Sequence, residues 1–203
     1  MAISTYTELT AAVANWLART DLTSRIPEFV TLAQARINRL VKAQAMETKS
    51  TSISINSEYV NVPSDFLEAR DFHIQGSPRY SLQYMPGDMQ TNLYSSSTGK
   101  PRYFSLAGTQ FRFGPVPDGT YTGTLIYYAK PATLATTTQE TNSLFPANAD
   151  LYLYGTLLEA EAFVMDDPRI ALWKQAFDEC VKSINDQATR SRWGGNMMSV
   201  RVG

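Results

Sequence analysis

At 203 residues with 43% hydrophobic content, the chain fits one large domain or two small ones and can bury a core without covalent staples. A formal net charge of -1 removes any general electrostatic attraction to nucleic acid, so phosphate contacts would need a local patch. The only cysteine, Cys180, excludes an intrachain disulfide and a cysteine-based zinc site, and the N-terminal stretch has neither the basic nor the apolar region of a signal peptide, which together point to synthesis in a cytoplasm.

In chain order, Ser4 or Thr5 with Glu8 forms a capping-box pattern ahead of Leu9, Val13, Trp16 and Leu17, which predicts a short amphipathic helix ending near Arg19. Residues 20–24 break the pattern. Arg25-Ile-Pro-Glu28 then places a proline in a first helical turn, where its missing N–H costs nothing, and a long helix follows. Its stripe is Ile26, Phe29, Val30, Ala33, Ile37, Leu40 and Val41. No apolar run approaches the length of a membrane span.

After Met46 the period changes to two. Ile53 and Ile55, followed by Tyr59-Val-Asn-Val62, predict a hairpin turning near Asn56 and Ser57. Further strands are expected over residues 66–74, 80–84, 102–106, 110–113 and 120–128, separated by turn signals such as Gly76-Ser-Pro78, Ala107-Gly108 and Pro117-Asp-Gly119. The set reads as an antiparallel meander. Residues 86–94 lack period two and fit a short helix crossing one edge. Residues 130–148, rich in Thr and Asn, form either a linker or an ordered docking loop.

Helical spacing returns near the C-terminus. Leu151, Tyr154, Leu158, Ala162 and Met165 share one face, and Ile170, Trp173, Phe177, Val181 and Ile184 recur at steps of three and four. These two helices need partners, and the only comparable helical material lies in residues 4–46. The expected class is therefore α+β: an antiparallel helical bundle formed by N- and C-terminal helices (1–48 and 149–192), with an inserted antiparallel β domain (49–134) and a linker or docking loop (135–148). The bundle core is expected to hold Phe29, Ile37, Leu40, Leu151, Tyr154, Leu158, Trp173, Phe177, Val181 and Ile184. Residues 193–203 are too Gly-rich for a helix and too apolar for a plain solvated tail, so they read as an extended arm that seeks a partner through Trp193, Met197, Met198, Val200 and Val202.

Catalytic chemistry is thinly provided. Acyl-transfer mechanisms need an imidazole as proton carrier, and the chain offers only His73, inside an expected strand. Cys180 sits at a stripe edge beside Val181 and reads as a small buried hydrophobe. Glu159 with Glu161 and Asp166 with Asp167 are paired carboxylates of the kind a glycosidase uses, but Asp166-Asp-Pro168 is better explained as a helix stop followed by capping of the next helix. Histidine pairs, calcium-loop spacing and a phosphate-binding glycine loop are missing, and Gly194-Gly195 lacks the flanks of one. Neither metal nor cofactor is expected. The tyrosines and phenylalanines of the middle segment, among them Tyr80, Tyr84, Tyr94, Tyr103, Phe104, Tyr121, Tyr127 and Tyr128, could stack sugars or bases, although strand packing explains them as well.

The ordered set of signals resembles the adaptor (gateway) proteins of tailed bacteriophages. It comprises Arg25-Ile-Pro-Glu-Phe29 leading into Leu32-Ala-Gln-Ala-Arg-Ile-Asn-Arg39, then Val62-Pro-Ser-Asp-Phe-Leu-Glu-Ala-Arg70 and Gly99-Lys-Pro-Arg-Tyr-Phe104. Phe113-Gly-Pro-Val-Pro117 before Leu125-Ile-Tyr-Tyr128, Thr141-Asn-Ser-Leu-Phe145 before Leu151-Tyr-Leu-Tyr-Gly155, and terminal Arg192-Trp-Gly-Gly195 complete it. The resemblance implies a non-enzymatic virion protein at the head-tail interface that forms a dodecameric homo-oligomeric ring beneath the portal protein, and it leaves open whether the isolated protein is a monomer or an oligomer. Such a ring lengthens the channel for double-stranded DNA and docks the tail or nozzle protein. The competing classes are a virion-associated carbohydrate-binding module using the tyrosine-rich sheet and a cell-wall hydrolase using Glu159 or Asp166.

Overall fold

Helical periodicity at the two ends and period-two patterning between them produce a mixed α and β chain. The computed structural model describes residues 3–94, 97–136, 138–164 and 167–193. Among these residues the helices are α1 (Tyr6–Leu17), α2 (Ile26–Leu40), α3 (Gly87–Tyr94), α4 (Ala149–Glu159) and α5 (Arg169–Trp193). The strands are β1 (Glu47–Ile55), β2 (Tyr59–Asn61), β3 (Phe66–Ile74), β4 (Tyr80–Ser81), β5 (Gln83–Tyr84), β6 (Thr98–Gly99), β7 (Tyr103–Ala107), β8 (Gln110–Gly114), β9 (Val116–Pro117) and β10 (Tyr121–Ala129). The chain divides into two compact units, Met1–Met46 with Pro131–Gly203 and Glu47–Lys130.

In the helical unit, Thr5 caps α1. Its hydroxyl accepts from the Glu8 N–H, and the Glu8 carboxylate accepts from the Thr5 N–H, a reciprocal capping box. Tyr6, Leu9, Val13 and Leu17 are buried, and Ala18 ends the helix in a left-handed conformation at φ 52°. Pro27 lies in the first turn of α2, whose buried side chains are Ile26, Phe29, Val30, Ala33, Gln34 and Ile37.

Leu40 departs from the expected core and is 47% exposed. The helix stops at Leu40, and Val41, in extended backbone and 2% exposed, is the stripe residue that is buried there. Asn185 of α5 holds that turn, donating to the Leu40 carbonyl at 3.0 Å and accepting from the Lys42 N–H at 2.9 Å.

Helix α4 packs against α1, α2 and α5, so it is covered nearly all round. Leu151, Tyr152, Leu153, Gly155, Thr156, Leu157 and Leu158 are all buried, where a single stripe was expected. Ala162 is exposed because α4 has already ended at Glu159. Met165, expected on the same face, lies outside the described residues.

The β unit differs from a meander. One sheet has the order β1-β10-β3-β4, a second has β2-β8-β7-β5, and β6 pairs with β9. The expected hairpin near Asn56 does not form, since β1 joins β10 while β2 joins β8 in the other sheet. The expected strand over 80–84 likewise divides: β4 extends β3, and β5 runs parallel to β7. Both departures have one cause. Two sheets must face each other to bury the aromatic residues, and consecutive strands that change sheets supply both walls.

That core comprises Ile55, Phe72, Ile74, Leu125, Tyr127 and Ala129 from the first sheet and Phe104, Phe111 and Phe113 from the second, with Leu82 between β4 and β5. Phe72 meets Phe104, Phe111 and Phe113 edge-on at centroid distances of 5.5, 5.3 and 5.6 Å. Gly123 admits this packing, because a Cβ there would stand 2.7 Å from Phe72 and 2.9 Å from Ile55. Helix α3 rests on β7 and β8 through buried Gln90, which accepts from the Ser105 hydroxyl at 2.6 Å.

Candidate functional site

The expected bundle-core residues fall into distinct places. Phe29, Ile37, Leu151, Leu158, Trp173, Phe177 and Ile184 are buried in the helical unit, whereas Tyr154 and Val181 are half-buried. Tyr154 sits edge-on to Trp16 at 6.0 Å. Of the arm, Trp193 closes α5, and Met197, Met198, Val200 and Val202 lie outside the described residues.

Segment 131–148 is tied down at several of its described residues. Asn142 organises it: the side-chain oxygen accepts from the Leu144 and Phe145 N–H groups at 3.0 and 2.9 Å, while its amide donates to the Ala132 carbonyl and the Tyr152 hydroxyl. Gln34 of α2 accepts from the Leu134 N–H at 3.1 Å, and Glu140 accepts from the N–H and hydroxyl of Thr7. Leu134, Leu144 and Phe145 are buried beside these bonds. Burial pushes the Tyr152 hydroxyl up to about 12, so it remains a neutral member of the network.

Two arginines bind helix ends together. Arg169 forks onto Asp167, donates to the Trp16 carbonyl at 2.9 Å and lies over the Trp173 ring. Arg19 pairs with Asp21 and donates to the Phe163 carbonyl at 2.9 Å. Hydrogen bonds from Arg169 hold the Asp167 carboxyl below its usual range, and Arg19 does the same for Asp21. Asp167 also accepts from the Arg169 N–H at the start of α5, the capping role expected of it; Asp166 lies outside the described residues.

Three of the four remaining described candidates for chemistry make structural contacts. His73 Nδ1 meets the Asp71 carboxylate at 2.9 Å within β3. Cys180 is half-buried and donates to Asp150 at 3.2 Å, and burial with that carboxylate pushes the thiol up to about 12, opposite to what a nucleophilic cysteine needs. Glu159 pairs with Arg36 at 2.9 Å, while Glu161 is exposed on a 3-10 turn. Among the described residues, no three His, Cys, Asp or Glu side chains gather as a metal site requires.

The aromatic residues weighed as a stacking platform are dispersed. Phe104 and Tyr127 belong to the sandwich core, Tyr128 is buried, Tyr94 pairs with Tyr103 at 5.6 Å, and Tyr84 alone of the set is largely exposed.

What remains uncovered is apolar. The helical unit exposes Trp16, Leu32, Leu40 and Leu172, the last at 65%. Leu32 and Leu172 lie off the stripes of their helices, which is the sequence signal that could have marked them. The β unit opens a cleft of about 430 Å³ lined by Phe66, Leu67, Phe72, Tyr84, Phe104 and Leu106, among others. No periodicity could reveal this cleft, because it lies between strands whose pairing is non-local.

Buried polar side chains are bonded among the described residues, the Tyr80 hydroxyl excepted, and several large apolar side chains are left exposed. The chain belongs to the SU10 adaptor protein family, whose model matches residues 4–202, in keeping with the resemblance to phage head-tail adaptors. Among curated proteins none matches it. No described helix is long and apolar enough to cross a membrane.

Proposed function

We propose that the chain is the head-to-tail adaptor of a tailed-phage virion, a ring-forming structural protein beneath the portal that extends the DNA channel and docks the tail or nozzle protein. The family match over residues 4–202 is the observation that carries this reading. The helices of both termini form one antiparallel bundle that builds the ring wall, and the inserted β unit faces a neighbouring subunit or the tail-side partner. A net charge of -1 suits a channel through which DNA slides, since strong phosphate contacts would hold the genome in place. Identical subunits in such a ring meet through heterologous contacts that close at the dodecamer.

The arm beyond Arg192 orders on the portal, with Trp193 and the Met197-Met198 pair as anchors and Val200 and Val202 beside them. Mixing the purified protein with its phage's portal ring and weighing the product by native mass spectrometry tests this. The expected product carries one adaptor copy per portal subunit, and a chain cut after Arg192 gives none. A full-length protein that forms no complex at any ratio would refute the adaptor assignment, and a truncated chain that docks with full affinity would refute the role of the arm.

A further inference from the structure

The β unit has a flank that its own strands leave open. β4 pairs only with His73 and Ile74 at the end of β3, after which the chain crosses to the other sheet and β5 pairs with Tyr103 and Phe104 of β7. Among the described residues, β3 from Phe66 to Asp71 has β10 on one side and no paired strand on the other, and β7 runs past β5 from Ser105 to Ala107. The cleft lies between these two strand edges. Phe66, Phe72, Phe104 and Phe111 line it, and Leu67, Leu106 and Tyr84 stand at its rim, 37%, 48% and 64% exposed.

A free strand edge beside an apolar groove is a template for an added strand: backbone bonds form along the edge while alternate side chains fill the groove. The β3 register shifts twice against β10, passing over Leu67 and Arg70. Such bulges shorten the pairing an added strand can make, so side chains in the groove must carry most of the binding.

The chain itself contains a segment of that chemistry. Met198-Ser-Val-Arg-Val202 alternates apolar and polar residues, has no proline, and follows Gly194-Gly195. Five extended residues span roughly 17 Å, which matches the open part of β3. Arg201 falls on the polar side of the alternation, toward a rim that carries Glu68, Asp71 and an Arg70 paired with Glu47.

We propose that, before a portal is engaged, residues Met198–Val202 of one copy lie along the Phe66–Asp71 edge of a second copy, with Met198, Val200 and Val202 in its cleft. In a head-to-tail series each copy gives one arm and receives one, so the cleft is filled without a foreign partner. The inference extends the ring reading by giving the arm a second site, which the portal then displaces.

Disulfide trapping on full-length chains tests it. In a Cys180→Ser background, one chain carries Leu106→Cys and another Val200→Cys; they are mixed without portal, oxidised, and weighed. The heterodimer is expected at least about fivefold above a reference pair in which Lys174→Cys replaces Leu106→Cys, and excess synthetic peptide of residues 196–203 should return it to the reference level. A yield equal to the reference overturns the proposal. So does a chain bearing both cysteines that closes on itself at high dilution in place of linking to another copy. Leu67→Glu, added to the Leu106→Cys chain, should return the trap to the reference level yet leave portal binding intact, whereas failure of the full-length chain to bind portal would sink the adaptor reading and leave the trapping result standing.

Discussion

Gly155 shows how one position sets the spacing of three helices. A Cβ there would stand 3.1 Å from Phe177 of α5 and 3.5 Å from Ala33 of α2, so the bare backbone of α4 lets both neighbours approach closely. Gly155→Leu is expected to destabilise the protein by about 2–3 kcal/mol through overpacking, read as a lowered midpoint in urea unfolding. Gly155→Ala should be nearly neutral, because the gain in helix propensity of about 1 kcal/mol offsets the squeeze. The same side-chain logic applies to Cys180, whose thiol is pushed up to about 12. At pH 8 it is expected to alkylate at least about tenfold more slowly than a free cysteine, checked by mass after timed iodoacetamide treatment.

Among the elements, segment 131–148 and α4 depend on each other. α4 is buried nearly all round, so its buried polar groups need polar partners, and Asn142 meets Tyr152 while bonding two N–H groups of its own segment. Asn142→Ala would leave those groups buried and unpaired, for an expected loss of about 3 kcal/mol, against about 1 kcal/mol for Tyr152→Phe; thermal unfolding of both and of the double variant would separate the shares. A composition of Thr and Asn could not distinguish a loose linker from this segment. The same residues serve either purpose, and only the positions of Gln34, Glu140 and Tyr152 decide between them.

For the whole molecule, acid sensitivity follows from carboxylates that tie helix ends. Glu8, bonded by Ser4 and Thr5, and Asp21 and Asp167, bonded by Arg19 and Arg169, all have carboxyls held below their ordinary values, and all belong to the helical unit. Since their folded values are depressed, their contribution is complete above the unfolded values of about 4 and is lost as pH falls through the lower folded ones. Helix content followed by circular dichroism should therefore melt at steadily lower temperature below about pH 4, and Asp167→Asn should flatten that slope. A melting temperature independent of pH in this range would remove these carboxylates from the account.

The sequence by itself determined the helices, their caps and the presence of strands, because these rest on neighbours within a few residues: the Thr5–Glu8 box, Pro27 in a first turn, and period two from Ile53 onward. It also carried the family, through an ordered set of short signals along the chain. Only the tertiary structure decided that β1 pairs with β10 and β2 with β8, that α4 is covered nearly all round, that Val41 is buried while Leu40 is exposed, and that a cleft opens beside β3. Period two states which face of a strand is apolar, and helical period which stripe, but neither names the partner. That choice is made by residues distant in sequence competing to bury the same apolar surface.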